Sequence, residues 1–435
     1  MTPTTFTPVS HPLRGTVRIP GDKSITHRAV IFSALAEGTS RIDGYLPSED
    51  CLRTVAAFRQ MGAAFEEGAH DGVPTLRVTG VGRRGLSEPS DVIDCGNSGT
   101  TTRLLTGLLA GQSFFSVLTG DASLRRRPMR RVIDPLRRMG AEISGRDDDR
   151  LAPLAIRGRR LSGVDHPLQI ASAQVKSALL LAGLSASGTT RVREPAPSRD
   201  HTERMLSHFG FPCERQDGWI GVRGGGTLTG VDIAVPGDFS SAAFFLVAGA
   251  VVEGSEITVN HIGVNPTRTG LIDTLREMGA DIVITPRASL CGEPVAEITV
   301  RWRPLRGITI SGDRLPSMID EFPILCVAAA VADGETVIRG AAELRVKESD
   351  RIAAMAEALS AVGVTAEALP DGIRIQGGGQ IASGICQTRG DHRVAMAMAV
   401  AALVADGPIT LDDTDSTQTS FPDFMAQLAS LCTAS

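Results

Sequence analysis

One unit recurs six times along this chain, and that repetition constrains the fold more than any other feature. Each copy runs from a short polar segment into a helix of small apolar residues, then a glycine-containing turn, then a strand. The copies begin at Asp22 (DKSITHRAVIFSALAEGTSRI), Cys95 (CGNSGTTTRLLTGLLAGQSFFSVL), Ser172 (SAQVKSALLLAGLSASGTTRV), Asp238 (DFSSAAFFLVAGAVVEGSEITV), Asp320 (DEFPILCVAAAVADGETVI) and Asp391 (DHRVAMAMAVAALVADGPITL). A unit of this kind cannot bury its apolar surface alone, so the copies must pack on one another. The helices are apolar around their whole circumference and rich in Ala and Gly, which predicts that they are buried and closely packed. An amphipathic helix follows most copies. Gly62, Gly140, Gly210, Gly279 and Gly363 stand where the ends of those helices need a left-handed residue.

A chain of 435 residues is too long for one core and predicts two domains of about 200 residues each. The segment IPGDKS at Ile19 is echoed by VPGDFS at Val235, with three copies between the two and three beyond. These Pro-Gly steps predict two crossings of the chain. One domain would be residues 21–235. The other would be residues 1–20 plus 236–435, because two crossings leave both termini on one side.

Composition excludes several classes. With 42% hydrophobic and 21% charged residues the chain reads as soluble and globular. A net charge of −5 gives no general attraction to nucleic acid or an anionic membrane surface. The longest apolar stretches, Ala242–Val252 and Ala395–Ala405, fall short of the roughly 20 residues a bilayer requires. The segment MTPTTFTPVSHPLRG lacks the apolar core of a secretory signal. Seven scattered cysteines without a CxxC pair point to a reducing compartment, and neither they nor the eight histidines show metal-ligand spacing. The expectation is a cytoplasmic protein with no metal, no cofactor and no nucleic-acid or membrane partner, acting as a monomer on small molecules. Of 44 basic residues only Lys23, Lys176 and Lys347 are lysine. Where arginine has replaced lysine so widely, the survivors mark places that need a compact point charge rather than a planar fork.

The polar segments carry the chemistry. Each is expected to open a helix, and helix N-termini offer unpaired N–H groups and partial positive charge to phosphate and carboxylate. Lys23, Ser24 and Arg28 lie in the first; Asn97, Gly99, Thr100 and Arg103 in the second; Ser172 and Gln174 in the third. Arg125, Arg126 and Arg127 follow in the loop LRRRPM, Arg199 in SRDHTE, Lys347, Glu348 and Arg351 in RVKESDR, and Asp391, His392 and Arg393 in the last segment. Each alone has an ordinary reading: Asp22 or Ser24 as a helix cap, Arg125–Arg127 as a solvated basic run, Glu348 as the partner of Arg351. Their repeated placement at helix starts predicts an anion site.

The ordered motifs PGDKSITHRA, DCGNSGTT, DASLRRRPM, ASAQVKSALLLAGL, NPTRTG, PSMIDEFPIL, LRVKESDR, DHRVAMAM and TSFPDF resemble those of the enolpyruvyl transferases that make 5-enolpyruvylshikimate 3-phosphate. The resemblance runs from about Pro20 to about Phe424. It implies an α/β fold of two similar domains, each of three βαβαββ repeats with the helices inside the sheets, an inside-out α/β barrel. It implies transfer of the enolpyruvyl group of phosphoenolpyruvate to the 5-hydroxyl of shikimate 3-phosphate, with release of phosphate. By position, Lys23, Ser24, Arg28, Ser172, Ala173, Gln174, Arg199, Asp320 and Lys347 match the family's shikimate-phosphate contacts. Lys23, Gly99, Arg127, Gln174, Arg351 and Arg393 match its phosphoenolpyruvate contacts, and Asp320, Glu348, Lys347 and Lys23 its catalytic groups. On this reading Asp320 is the base at the 5-hydroxyl and Glu348 the acid at C3, with Lys347 as an alternative proton carrier. The resemblance also implies inhibition by glyphosate, with Gly99 leaving room for it.

Three positions depart from the pattern. Thr419 stands where some relatives carry a lysine, Ala173 where many have a second serine, and Leu104 where some have proline. Lys176 matches no role. The related enzymes that act on UDP-N-acetylglucosamine carry a cysteine in the loop before Arg-Pro and read Lys-Asn at the first segment; GDASLRRRPMRR has no cysteine, and Lys23 is followed by Ser24. A non-catalytic anion-binding repeat protein would not need Asp320 and Glu348 beside arginines.

Overall fold

The computed structural model describes residues 3–433. Six buried helices match the six copies: α1 (Lys23–Leu35), α2 (Gly99–Ala110), α3 (Ala173–Ser185), α4 (Phe239–Val251), α5 (Phe322–Val331) and α6 (His392–Ala402). All thirteen residues of α4 and all eleven of α6 are buried. Their all-round apolar surface is thus explained by position: each is an inner helix with no solvent face. Small residues let these helices approach. A Cβ on Gly107 of α2 would lie 2.1 Å from the carbonyl oxygen of Ala178 on α3, so only glycine fits that crossing.

Among the described residues, five four-stranded sheets and one three-stranded sheet cover the helices. Their strands alternate between buried and exposed residues, as Leu76 and Val78 against Arg77 and Thr79 show, so each sheet has one face on the core and one on solvent. In every four-stranded sheet the strand after the inner helix pairs in parallel with a short strand and antiparallel with one arm of a hairpin. The short strands of two sheets come from far along the chain. Ile233–Ala234 joins Ile42–Asp43, and Arg14–Val17 joins Glu256–Val259. The sixth copy differs: its strand Ile409–Leu411 pairs with Gly384–Cys386 and with Thr4–Phe6 instead of a hairpin. The five glycines expected at helix ends all have positive φ, from 79° at Gly363 to 111° at Gly279.

The described chain divides into two compact units. The N unit is Gly21–Val235 with Ser289–Glu293, and the C unit is Pro236–Ala288 with residues 3–20 and 294–433. Each has its own continuous hydrophobic core. Residues 289–293 correct the expectation that 236–435 forms one body. This tip of the hairpin Asp281–Leu290 and Glu293–Arg301 belongs to the N unit, where Glu293 sits 2.7 Å from His201 Nδ1 and the Gly292 carbonyl accepts a hydrogen bond from Arg204.

Burial also fixes the protonation of two histidines. His27 on α1 shares a hydrogen bond with Thr54, and burial beside Lys23 and Arg28 holds its pKa well below the usual value. Burial, with help from Arg138, lowers that of His166 to about 4. Both therefore bind protons more readily unfolded than folded. Stability should fall as pH drops below about 6.5, by up to about 1.4 kcal/mol per pH unit for each histidine. Urea midpoints measured between pH 7.5 and 5 check this. His166→Gln should flatten the dependence by about one histidine's share, and an unchanged slope in that variant would contradict the assignment.

Candidate active site

The helix starts are capped in two ways. Asp22, Asp238 and Asp391 cap α1, α4 and α6 with carboxylates, whereas Ser98 and Ser172 cap α2 and α3 with neutral hydroxyls. A carboxylate cap offsets the positive helix end; a serine cap leaves it available to an anion. The anion-favouring starts are thus α2 and α3, both in the N unit. The fifth copy breaks the expected rule. Asp320 does not open α5 but sits on a separate short turn, Ile319–Glu321, just ahead of it.

Within the N unit, Gly99, Arg103, Arg127, Gln174 and Lys23 stand near these starts. Arg127 is the buried member of the basic run; its Nη2 donates to Asn97 Oδ1 at 2.5 Å, and Asn97 donates in turn to Asp121 at 2.7 Å. Arg103 Nη1 donates to Gln174 Oε1 at 2.6 Å, while Gln174 Nε2 donates to Thr100 at 3.0 Å. Each of the two guanidiniums beside Gly99 thus donates to a side-chain amide. A Cβ on Gly99 would lie 3.0 Å from Arg103 Nη1 and 3.1 Å from Arg127 Nη1. Lys23 pairs with Asp50 at 2.5 Å. Arg28 donates to the Ser24 carbonyl, to Ser177 and to Thr202 at 2.7–2.9 Å. Burial works against the Arg28 charge, Glu203 and Asp22 support it, and nearby Arg199 opposes it. Ala173 is the first residue of α3 and presents only a methyl group.

The C unit gathers Asp320, Lys347, Glu348, Arg351 and Arg393. Arg351 is the hub, with its side chain 1% exposed. Its Nε donates to Asp391 at 2.9 Å, and its Nη groups lie 2.7 Å from Glu348 and 3.5 Å from Asp320. Burial alone would weaken its charge, but Asp391, Glu348 and Asp320 together raise its pKa. Burial would likewise raise that of Asp391, yet Arg351 brings it below the ordinary value. Asp391 also accepts from Ser349 and caps α6, so it is a structural anion. Arg393 Nη1 donates to the Asp320 backbone carbonyl at 3.2 Å, and its Nη2 lies 4.0 Å from the Asp320 carboxylate. Desolvation lowers the pKa of Lys347 despite Asp320, Glu343 and Glu348.

The sequence candidates therefore fall into two connected clusters, one per unit. Arg125 and Arg126 are exposed. Asp50, Asp121, Glu203 and Thr202 are not among the sequence candidates, because their partners come through tertiary packing, although Asp121 opens DASLRRRPM, Thr202 and Glu203 end SRDHTE, and Asp50 lies in the acidic first turn of helix Glu49–Gln60. Thr419 spends its hydroxyl on the Ser416 carbonyl within its own turn.

Residues 8–428 match the family model described as EPSP synthase (3-phosphoshikimate 1-carboxyvinyltransferase). A 3-phosphoshikimate 1-carboxyvinyltransferase of Geobacter metallireducens is 56% identical over 416 residues, 96% of either chain. Another, of Alkalilimnicola ehrlichii, is 56% identical over 415 residues, 95% of this chain and 92% of that one. The EPSP synthase structure of Acinetobacter baumannii superposes with a TM-score of 0.86 at 46% identity, covering 99% of this chain and 98% of that one. The enolpyruvyl transferase NikO of Streptomyces tendae shares the fold at 19% identity, with a TM-score of 0.79 over 99% and 97% of the chains. With relatives this similar along almost its whole length, the chain belongs to the EPSP synthase family.

Proposed function

We infer that this protein transfers the enolpyruvyl group of phosphoenolpyruvate to the 5-hydroxyl of shikimate 3-phosphate and releases phosphate. The observation that carries the reading is the division of labour between the clusters: serine-capped helix starts with arginines in one, carboxylates on an arginine hub in the other. The family membership supports the same reading over the UDP-N-acetylglucosamine enzymes. Arg28, Arg199, Ser24, Ser172, Ala173, Gln174 and Lys23 hold shikimate 3-phosphate. Lys23, Gly99, Arg127, Gln174, Arg351 and Arg393 hold phosphoenolpyruvate.

Asp320 is the base at the 5-hydroxyl. Its carboxylate lies 3.5 Å from Arg351 and 4.0 Å from Arg393. Glu348 is the acid at C3. Its carboxylate lies 2.7 Å from an Arg351 Nη group. Lys347, with its lowered pKa, stands beside it as the second proton carrier. The oxygen adds to C2 as C3 is protonated, and loss of phosphate with a methyl proton restores the double bond. Positioned acids and bases supply about 10²–10⁴-fold, and fixed cations stabilise the departing phosphate.

Phosphate release with both substrates present tests the reading. Wild type should release one phosphate per enolpyruvyl group transferred. Arg127→Ala should raise the KM for phosphoenolpyruvate by roughly 10–100-fold, as loss of a charge-assisted contact does, with a smaller change for shikimate 3-phosphate. Binding of both ligands without release of phosphate would refute the assignment.

A further inference from the structure

We propose that Lys176 is the positioning residue that holds in place Arg28 and Arg199, the two arginines assigned above to shikimate 3-phosphate. Its side chain is 1% exposed, yet three oxygens converge on its ammonium: Glu194 Oε2 and Glu203 Oε1, each at 2.9 Å, and the Ser198 carbonyl at 3.3 Å. Glu194 holds Ser198 from the other side, accepting from its hydroxyl at 2.5 Å and from its amide at 3.4 Å. The residue immediately before Arg199 is therefore fixed through its carbonyl, its amide and its side chain at once. The neighbours of Lys176 and Glu203 complete the frame. Ser177 and Thr202 share a hydrogen bond at 2.6 Å, and both accept from the Arg28 guanidinium.

Charge points the same way. One ammonium faces two buried carboxylates, while Arg215 reaches Glu203 only at 3.9 Å from the surface. The surplus negative charge lies beneath two arginines that repel each other, and Glu203 supports the charge on Arg28. An ammonium suits three converging oxygens in so tight a space; a planar guanidinium is wider and carries five donors. This accounts for a lysine surviving here in a chain with 44 basic residues of which three are lysine. Lys176 touches neither substrate and acts through the arginines.

The inference rests on the assignment of Arg28 and Arg199 to shikimate 3-phosphate. Lys176→Arg and Glu194→Gln separate it from a merely structural role, since Glu194→Gln leaves the Lys176–Glu203 pair intact and folds even where the lysine variant does not. Calorimetry of shikimate 3-phosphate binding and steady-state kinetics are the measurements. Each folded variant should weaken shikimate 3-phosphate by about tenfold in Kd and KM. Turnover at saturation should stay within about twofold. Undiminished affinity for shikimate 3-phosphate, even with a lowered melting temperature, overturns the proposal, as does a loss of turnover at saturation as large as the loss of affinity. Arg199→Ala is the control on the underlying assignment. If it too leaves affinity intact, the assignment of the arginines to shikimate 3-phosphate is what fails; if it alone weakens binding, only the role of Lys176 falls.

Discussion

Asp320→Asn is expected to cut turnover by about 10²–10⁴-fold, the range for loss of a general base, while both substrates still bind within a few-fold of their normal affinity. The substitution is nearly isosteric. Asparagine retains an oxygen to accept from Arg351 Nη1, and the Arg393 hydrogen bond is with the backbone carbonyl, which does not change; only the longer 4.0 Å pairing of Arg393 with the carboxylate loses its charge. What is lost is the capacity to take a proton from the 5-hydroxyl. The turn Ile319–Glu321 should survive as well, because Glu321 beside it is buried and accepts a hydrogen bond from Ser240, which Arg268 holds at 2.7 Å. Phosphate release at saturating substrate, with shikimate 3-phosphate affinity measured on the same preparation, is the test. Near-normal turnover would remove Asp320 from the base role.

Gly99→Ala is expected to weaken inhibition by glyphosate by on the order of 100-fold, the upper end of what one methyl-sized intrusion into a fitted pocket does. The inhibitor is longer than phosphoenolpyruvate and needs the space next to the glycine. The structure adds a cost that the sequence did not disclose. The new methyl would crowd the guanidinium tips of Arg103 and Arg127. Both are ends of flexible side chains and can shift by a few tenths of an ångström, so the site persists. Arg127 is nonetheless a proposed phosphoenolpyruvate ligand, and KM for that substrate should rise about 3–10-fold, within the effect of one methylene. Leu104 does not counteract this: it is fully buried in the N-unit core, on a helix fixed at its start by Ser98. Thr419 adds no charge. Equal inhibition of wild type and variant would show that the space beside Gly99 is not used.

The parts of the fold legible in the sequence are those written in short-range periodicity. All-round apolar helices such as Phe239–Val251 have no solvent-facing side to encode, so burial is visible from composition alone. The helix-ending glycines are legible because φ near 100° excludes most other residues. Partners distant in sequence were not legible. Arg351 reads locally as the companion of Glu348, three residues away, yet its Nε contact is to Asp391, forty residues on. Two-residue strands such as Ile233–Ala234 leave no periodic trace. The detour of residues 289–293 is hidden because a hairpin tip has the same turn chemistry wherever it packs. Site cations and the amides Asn97 and Gln174 that hold two of them could be listed from motifs, but the carboxylates could not, since Asp50, Asp121 and Glu203 look like ordinary surface polar residues.

The short strands contributed from the far ends of each unit set an order of events during synthesis. Arg14–Val17 finds its partner only after Glu256–Val259 has been made, and Thr4–Phe6 waits for Ile409–Leu411. The N unit meets a milder version, since its first sheet lacks an edge until Ile233–Ala234 leaves the ribosome. At about 5–20 residues per second the leading segment therefore trails unpaired for tens of seconds while the N unit gathers behind it. Made before the rest of its unit, it is among the last parts to be incorporated. A bulky fusion directly ahead of Thr4–Phe6, or a deletion that removes it, should thus damage the unit that contains Ile409–Leu411.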